Sequence, residues 1–293
     1  MSQIIAIIVT HNRPDDLRKV IQALLLQTFR LERILVIDNA STRSAREVLA
    51  DFPQVDVIRS ELNTGGAGGF AFALEVALRF DSDWLWLMDD DAIPQTDALE
   101  KLMMAANRLA HNAGVLCSAV LEFNELATMH RRMFSLRTGI ETQVSASKYA
   151  CAELEIDTGS FVGFLVRNTA VASVGLPDKN FFLAYDDTEY SLRLRRAGWQ
   201  IWLIPDSVIN HLRGAGSRLR SSEFGSKHYY NIRNRLVVTS MYAKWKSLAR
   251  LNGILTGFLI WITSRKSHNC VAWALFRRAI NDGLNCRLGK MKD

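Results

Sequence analysis

Cysteine is scarce in this 293-residue chain: there are four, at positions 117, 151, 270 and 286, with no CxxC pair among them. That spacing excludes a disulfide-stapled secreted scaffold and reads as reduced, mostly structural thiols in a cytosolic protein. A signal-peptide pattern is also missing. The apolar run at 4–9 has no basic segment before it and no small-residue cleavage site after it. The uncharged stretch 251–263 (LNGILTGFLIWIT) is too short to span a bilayer. There is no internal repeat, no low-complexity linker and no GK[ST] sequence, so a P-loop is excluded.

What remains is a globular composition, 48% apolar and 23% charged. The length suits one large α/β domain with an extension, or two modest domains. The net charge of +6 hides an asymmetry. From Arg213 onward there are 16 Lys/Arg against 3 Asp/Glu, whereas the first 212 residues carry 20 against 27. An acidic body with a basic tail points to an anionic partner surface, membrane or nucleic acid. In the tail, the 251–263 stretch is flanked by Lys244, Lys246, Arg250, Arg265 and Lys266 and accompanied by Trp245, Trp261 and Trp273. This pattern fits an interfacial anchor on an anionic membrane surface. It also fits a core or dimer helix with a solvated basic face, and hence a homo-oligomer.

The first half alternates period-2 and period-3.6 signals. Apolar runs at 4–9, 33–37, 55–59 and 84–88 read as strands, and 14–27, 44–50 and 70–80 as helices, the last opened by a glycine-rich loop at 63–69. This order predicts a doubly wound, mostly parallel α/β sheet that binds nucleotides. In the second half, 157–166 has strand-like alternation with glycines, 181–199 passes from an acidic cluster into a basic helix, and 201–204 is a strand. Residues from 228 to about 287 read as mainly helical. The composition shift at 214–222 divides the chain into 1–215, a catalytic body, and 216–293, a basic helical extension.

The run WLWLMDDD at 84–91 carries the most chemistry. An apolar strand ends in Asp89, Asp90 and Asp91, and adjacent carboxylates near a core are costly unless paired. A divalent cation shared with a phosphorylated ligand would pair them, and hard oxygen ligands suit Mg²⁺ or Mn²⁺. An acidic turn capping a helix that begins near Pro94 explains the triplet equally well. Other strand ends carry Thr10, His11, Asn12 and Arg13, then Asp38 and Asn39, then Asn63, converging where a parallel sheet forms its ligand crevice. Asp38 suits a base or ribose and Arg13 a phosphate, while each taken singly reads equally as a loop cap or turn residue. The segment NTGGAGGF (63–70) follows the third strand and lacks GxGxxG spacing, so it is not a dinucleotide fingerprint. A second acidic cluster, Asp186, Asp187, Thr188 and Glu189, offers either helix-terminal charge compensation or a general base. His211 either completes a metal shell or is a structural residue.

Taken together, THNR at 10–13, Asp38-Asn39, the DxD-type triplet, DDTE before LRLRRAGW and the later His211 resemble the inverting family 2 glycosyltransferases of the GT-A fold over roughly residues 4–235. Within that family the NTGGAGGF loop, the DDTE cluster and the His211/His228 pair are most similar to bacterial galactofuranosyltransferases, with rhamnosyltransferases the near alternative. The resemblance implies Mn²⁺ or Mg²⁺ held by Asp89, Asp91 and His211 on a UDP-sugar diphosphate. It also implies that Thr10, Arg13, Asp38, Asn63, Asp90 and His228 line the nucleotide-sugar site. Asp187 would be the base and Asp186 its neighbour. A glycan or lipid-linked acceptor at the inner face of the cytoplasmic membrane is expected, and nucleic acid is not. The chain starts at its first sheet strand and has Thr158-Gly159-Ser160-Phe161 where an acceptor-side tryptophan pair would stand, so transfer of one or a few residues is expected. A non-catalytic nucleotide-sugar-binding module is the reading from another class.

Overall fold

The computed structural model of the chain describes residues 2–212, 219 and 222–291. The expected domain boundary at 214–222 lies for the most part outside them. Thirteen strands are found among the described residues: β1 (Ile4–Thr10), β2 (Arg33–Asp38), β3 (Val55–Arg59), β4 (Trp84–Asp89), β5 (Ala92–Pro94), β6 (Ala113–Glu122), β7 (Glu125–Leu126), β8 (Arg131–Phe134), β9 (Glu141–Gln143), β10 (Leu154–Ile156), β11 (Thr158–Gly159), β12 (Phe164–Arg167) and β13 (Gln200–His211). The helices are α1 (Pro14–Leu25), α2 (Ala45–Val48), α3 (Gly65–Ala77), α4 (Ala98–Arg108), α5 (Asn168–Val174), α6 (Asp186–Arg196), α7 (Ser226–Tyr242), α8 (Lys246–Thr263) and α9 (Cys270–Leu284).

The main sheet runs β10-β13-β6-β12-β4-β1-β2-β3. Strands β3, β2, β1 and β4 are mutually parallel, and β12 is antiparallel to both β4 and β6. The continuous apolar runs follow from burial on both faces. Ile4, Ala6 and Ile8 of β1 join Trp84, Trp86 and Met88 of β4 in one core, under α1 and α4. Ile5, Ile7, Val9, Leu85 and Leu87 enter the opposite core with Phe70 and Leu74 of α3. Each large aliphatic or Phe side chain among them contributes about 1.5–3 kcal/mol by burial, so the strand ends beside them are rigidly placed. A small sheet, β11-β8-β9, lies apart from the main one.

Three local expectations are corrected. The glycines at 65–69 are not a loop before a helix but the first turns of α3. A Cβ on Gly65 (φ +72°) would fall 1.9 Å from the Phe182 carbonyl oxygen, and one on Gly69 would fall 2.5 Å from Val9. The close approach is therefore between protein segments. Pro94 ends β5, and the following helix starts at Ala98. The 157–166 segment is broken into β11 and β12, with Gly163 in a positive-φ turn.

The C-terminal helices pack on one another through small residues. Gly253 and Gly257 let α8 approach Leu236 and Ile232 of α7. Arg233 and Asn234 of α7 reach into the body: Asn234 Nδ2 donates to the carbonyls of Phe181 (3.0 Å), Leu183 (2.8 Å) and Ala184 (2.8 Å). Of the four free cysteines only Cys117 is buried, so the other three are surface thiols, contrary to the structural role expected for most of them.

Candidate active site

The parallel strands end in Thr10, Asp38, Arg59 and Asp89, as the alternation of elements requires. Thr10 Oγ1 donates to Asp90 Oδ2 at 2.7 Å, and the His11 N–H donates to the same oxygen at 3.1 Å. Arg13 pairs with Asp91 and lies 3.7 Å from Asp90 Oδ1. From the other end of the sequence, β13 pairs with β5 and brings His211 opposite Ala92. His211 Nε2 is 3.1 Å from Asp91 Oδ1, and ligand-type atoms of Asp89, Asp91 and His211 all lie within 4.8 Å of one another.

Burial makes this group electrostatically tense. Asp89 is pushed up to about 7 by burial and by the charge of Asp91. Burial likewise raises Asp90, to about 6, against the Thr10 hydrogen bond and Arg13. Burial would also raise Asp91, but hydrogen bonding and charge from His211, with Arg13, hold it at about 2. His211 is lifted to about 9: burial opposes its charge, and hydrogen bonds to Asp91 and Glu122 overcome that. Two carboxylates and an imidazole with ligand-type atoms within 4.8 Å of one another are a donor set that a divalent hard cation fits.

Asp186 and Asp187 open α6. The segment before them is strained, with Phe182, Ala184 and Tyr185 all at positive φ. Such conformations cost of order 1–3 kcal/mol each, and the Asn234 and Arg233 bonds to 181–184 hold them. Asp186 is buried, its pKa raised well above normal by burial and by Asp187, with Asp89 adding to the effect. The second acidic cluster thus shares a field with the triplet. Asp187 is raised by burial, opposed by Arg132 and by Thr188, whose N–H donates to Asp187 Oδ1 at 2.6 Å.

The other expected residues are distributed unevenly. Asn63 joins the β1 end: its Nδ2 is 3.1 Å from His11 Nε2, and its Oδ1 accepts from the Gly65 N–H at 2.8 Å. Asp38 is fully buried, and its oxygens accept from the N–H groups of Ser41 (2.8 Å) and Ala45 (3.0 Å) and from Arg59 (2.8 Å). Burial would raise it, but those donors hold it below the usual carboxylate range. It pins the loop after β2, and a direct bond to a nucleotide would have to share those acceptors. His228 is buried at the start of α7, with its ring nitrogens on the Gly225 N–H (3.1 Å) and the Leu219 carbonyl (2.8 Å). Those partners tie it to Gly225 and Leu219.

Sequence reasoning missed Glu122, His130 and Arg131; Asn234, in YYNIRN, is legible only as part of a helix after the acidic cluster, with no individual role. Glu122 ends β6 in an unremarkable EFNE turn, and nothing in the primary structure joins it to His211, 89 residues away.

The sheet order with its strand-end carboxylates and histidine defines the nucleotide-sugar transferase architecture known as GT-A. Comparison with known proteins agrees. The family model "Glycosyl transferase family 2" matches residues 5–167, and the chain belongs to that family: it is a glycosyltransferase, not a bare binding module. It is 29% identical over 94% of both chains to galactofuranosyltransferase GlfT1 of Mycobacterium tuberculosis. It is 25% identical to the dTDP-rhamnosyl transferase RfbF of Shigella flexneri, over 73% of this chain and 70% of that one. Among solved structures, GalNAc-T7 with UDP, GalNAc and Mn²⁺ superposes with TM-score 0.68 at 14% identity, covering 96% of this chain and 55% of that protein. No helix among the described residues is long and apolar enough to cross a membrane.

Proposed function

We propose that the chain is an inverting, metal-dependent glycosyltransferase that moves galactofuranose from UDP-galactofuranose to a hydroxyl of a cell-surface glycan or its lipid-linked precursor. The observation that carries the reaction is the convergence of Asp89, Asp91 and His211 beside the Asp186–Asp187 pair. Two-way coverage of a galactofuranosyltransferase supports the donor.

Asp89, Asp91 and His211 would hold Mn²⁺ or Mg²⁺. When bound, the metal supplies Lewis-acid neutralisation of the charge on the departing diphosphate. Asp187 takes the proton of the acceptor hydroxyl as that oxygen attacks the anomeric carbon from the face opposite the diphosphate. One base suffices, because no covalent glycosyl-enzyme forms. Its raised pKa makes it a stronger base than an exposed carboxylate. Asp186 orients hydroxyls next to it. Arg13, Thr10, Asn63 and Asp90 line the nucleotide end, with Asp38 behind them, and His228 approaches the diphosphate.

Residues 1–215 form the catalytic body in this reading, and 216–293 an extension that rests on the inner face of the cytoplasmic membrane. Support comes from α8, whose buried face is Ala249, Gly253, Gly257 and Ile260, while Leu248, Leu251, Leu255, Phe258, Leu259 and Ile262 are exposed at helical spacing. A lipid surface covers such a face, and the adjacent basic residues favour anionic headgroups.

Similarity to RfbF supports a second donor reading, dTDP-rhamnose. The deciding experiment is a panel of nucleotide sugars with Mn²⁺, scored for nucleotide release and transfer, with EDTA as control. Turnover of UDP-galactofuranose alone supports the first reading, turnover of dTDP-rhamnose alone replaces it, and full activity after rigorous metal removal overturns the metal.

A further inference from the structure

We propose that Glu122, His130 and Ser160 form a hydrogen-bonded backing that fixes the ring orientation and tautomer of His211, presenting its Nε2 to Asp89 and Asp91 as a metal-ligand nitrogen. The inference rests on the metal reading above and assigns residues behind the ligand shell.

The direction of every bond in the chain follows from what each atom can do. Glu122 is buried, and its Oε1 lies 3.1 Å from His211 Nδ1 and 3.1 Å from His130 Nε2. A carboxylate oxygen accepts, so both ring nitrogens donate to it. With its Nε2 proton spent on Glu122, a neutral His130 accepts at Nδ1, which is 2.8 Å from Ser160 Oγ. Ser160 therefore donates to His130 and has lone pairs left for Arg131 Nη1, 3.3 Å away. Arg131 is fully buried and anchors the far end on backbone, donating to the carbonyls of Ser118 (2.9 Å), His130 (2.9 Å), Ser160 (3.2 Å) and Val162 (2.6 Å).

At the near end the consequence is definite. With Nδ1–H committed to Glu122, the only ring nitrogen of His211 facing Asp91 is Nε2, at 3.1 Å. That nitrogen becomes a lone-pair donor once its own proton is displaced. The placement is set by the sheet: β6 and β13 are parallel, with Leu121 paired to Asn210, so Glu122 and His211 leave neighbouring strand ends at the same level. The His130 ring packs edge-on to His211, with centroids 5.4 Å apart, and blocks rotation. A carboxylate behind a ligating histidine raises its basicity and fixes its tautomer, and losing it costs 10–100-fold in metal affinity in comparable sites.

The test is Mn²⁺ titration of the full-length protein, followed by the electron paramagnetic resonance signal of free Mn²⁺, with no sugar donor present. Glu122→Ala should raise the Mn²⁺ dissociation constant about 10–100-fold, and the isosteric Glu122→Gln by less. Metal-free thermal midpoints are measured in parallel, and Glu122→Gln keeps the test open if the alanine variant does not fold. At one fixed Mg²⁺ concentration, ¹⁵N shifts should report His211 of the wild type as neutral, ligated at Nε2 and protonated at Nδ1, and Glu122→Gln should leave a larger share of His211 unligated. Folded Glu122 variants that bind Mn²⁺ within twofold of wild type overturn the inference. Wild type that binds no Mn²⁺ overturns the metal reading itself, a distinct outcome.

Discussion

Thr10 Oγ1 donates a 2.7 Å hydrogen bond to Asp90 Oδ2 across 80 residues of sequence, and this bond divides the acidic triplet by function. The middle carboxylate is turned toward the end of β1, where the His11 N–H also holds it. Its neighbours Asp89 and Asp91 are left facing His211. Asp90→Asn should therefore leave Mn²⁺ affinity within a few-fold and cost about 1 kcal/mol of stability, the worth of a buried hydrogen bond. Asp91→Asn should weaken Mn²⁺ binding by more than about tenfold. Calorimetric titration with urea melts of both variants decides it; equal loss of metal affinity would refute the division.

Asp187→Asn should lower transfer by about 10²–10⁴-fold, the usual worth of a general base, with UDP binding changed only a few-fold. The wild-type rate should fall on acidification along a limb above the ordinary carboxylate range near 4, because burial raises Asp187 and only its deprotonated form accepts the hydroxyl proton. Initial rates from pH 5 to pH 8 measure this. Normal turnover by the variant removes the base assignment.

The metal-free protein should lose stability as pH rises from about 7 to 9. His211, near 9, carries this decline, and Asp89, near 7, adds only to its start because its own loss falls between about 4 and 7; both have folded-state values above their unfolded ones. The folded state then binds more protons in that window, and stability falls with pH. Below about 6.5 the sign is mixed. His130, held near 4 by burial, favours the folded state as pH rises, while Asp90, near 6, disfavours it. Saturating Mn²⁺ should flatten the alkaline decline. Differential scanning fluorimetry with and without Mn²⁺ tests it, and a flat metal-free profile contradicts it.

Asn234→Ala should slow transfer and destabilise the protein by about 1–3 kcal/mol, since it deprives buried carbonyls of their donor. Phe181, Leu183 and Ala184 lose that donor just where the backbone is strained before Asp186. Chemical denaturation and kcat are the readouts. A variant with wild-type kcat would separate α7 from positioning of the base.

Replacing Leu251, Leu255 and Leu259, each more than half exposed, with Gln should abolish flotation on vesicles containing anionic phosphatidylglycerol. Nucleotide-sugar hydrolysis in solution should persist. Unchanged flotation excludes α8 as the contact, and concentration-dependent dimerisation lost in the same variant would assign the face to a second copy.

Much of this was legible in the primary structure because the physics involved is local. Apolar runs read as strands at 4–9, 33–37, 55–59 and 84–88, and β1 to β4 occupy those positions, all but the edge strand β3 largely buried. Local context failed where long-range packing decides. Glycines 65–69 resemble a loop, yet Phe182 and Val9 press on a helix there. Asp38 looks like a ligand residue by its place at a strand end, and only the fold shows three protein donors around it.

The same division runs through the site. The sequence by itself determined the α/β alternation and the placement of acidic groups at strand ends, since both rest on periodicity and spacing, and its motifs carried the resemblance to the family. Which oxygen of the triplet faces β1, which nitrogen of His211 faces Asp91, and that Glu122 and His130 stand behind it were decided only in three dimensions. Hydrogen-bond direction depends on atoms within about 3 Å, and here those atoms are supplied by β1, β4, β6 and β13, strands that the chain brings together from opposite ends.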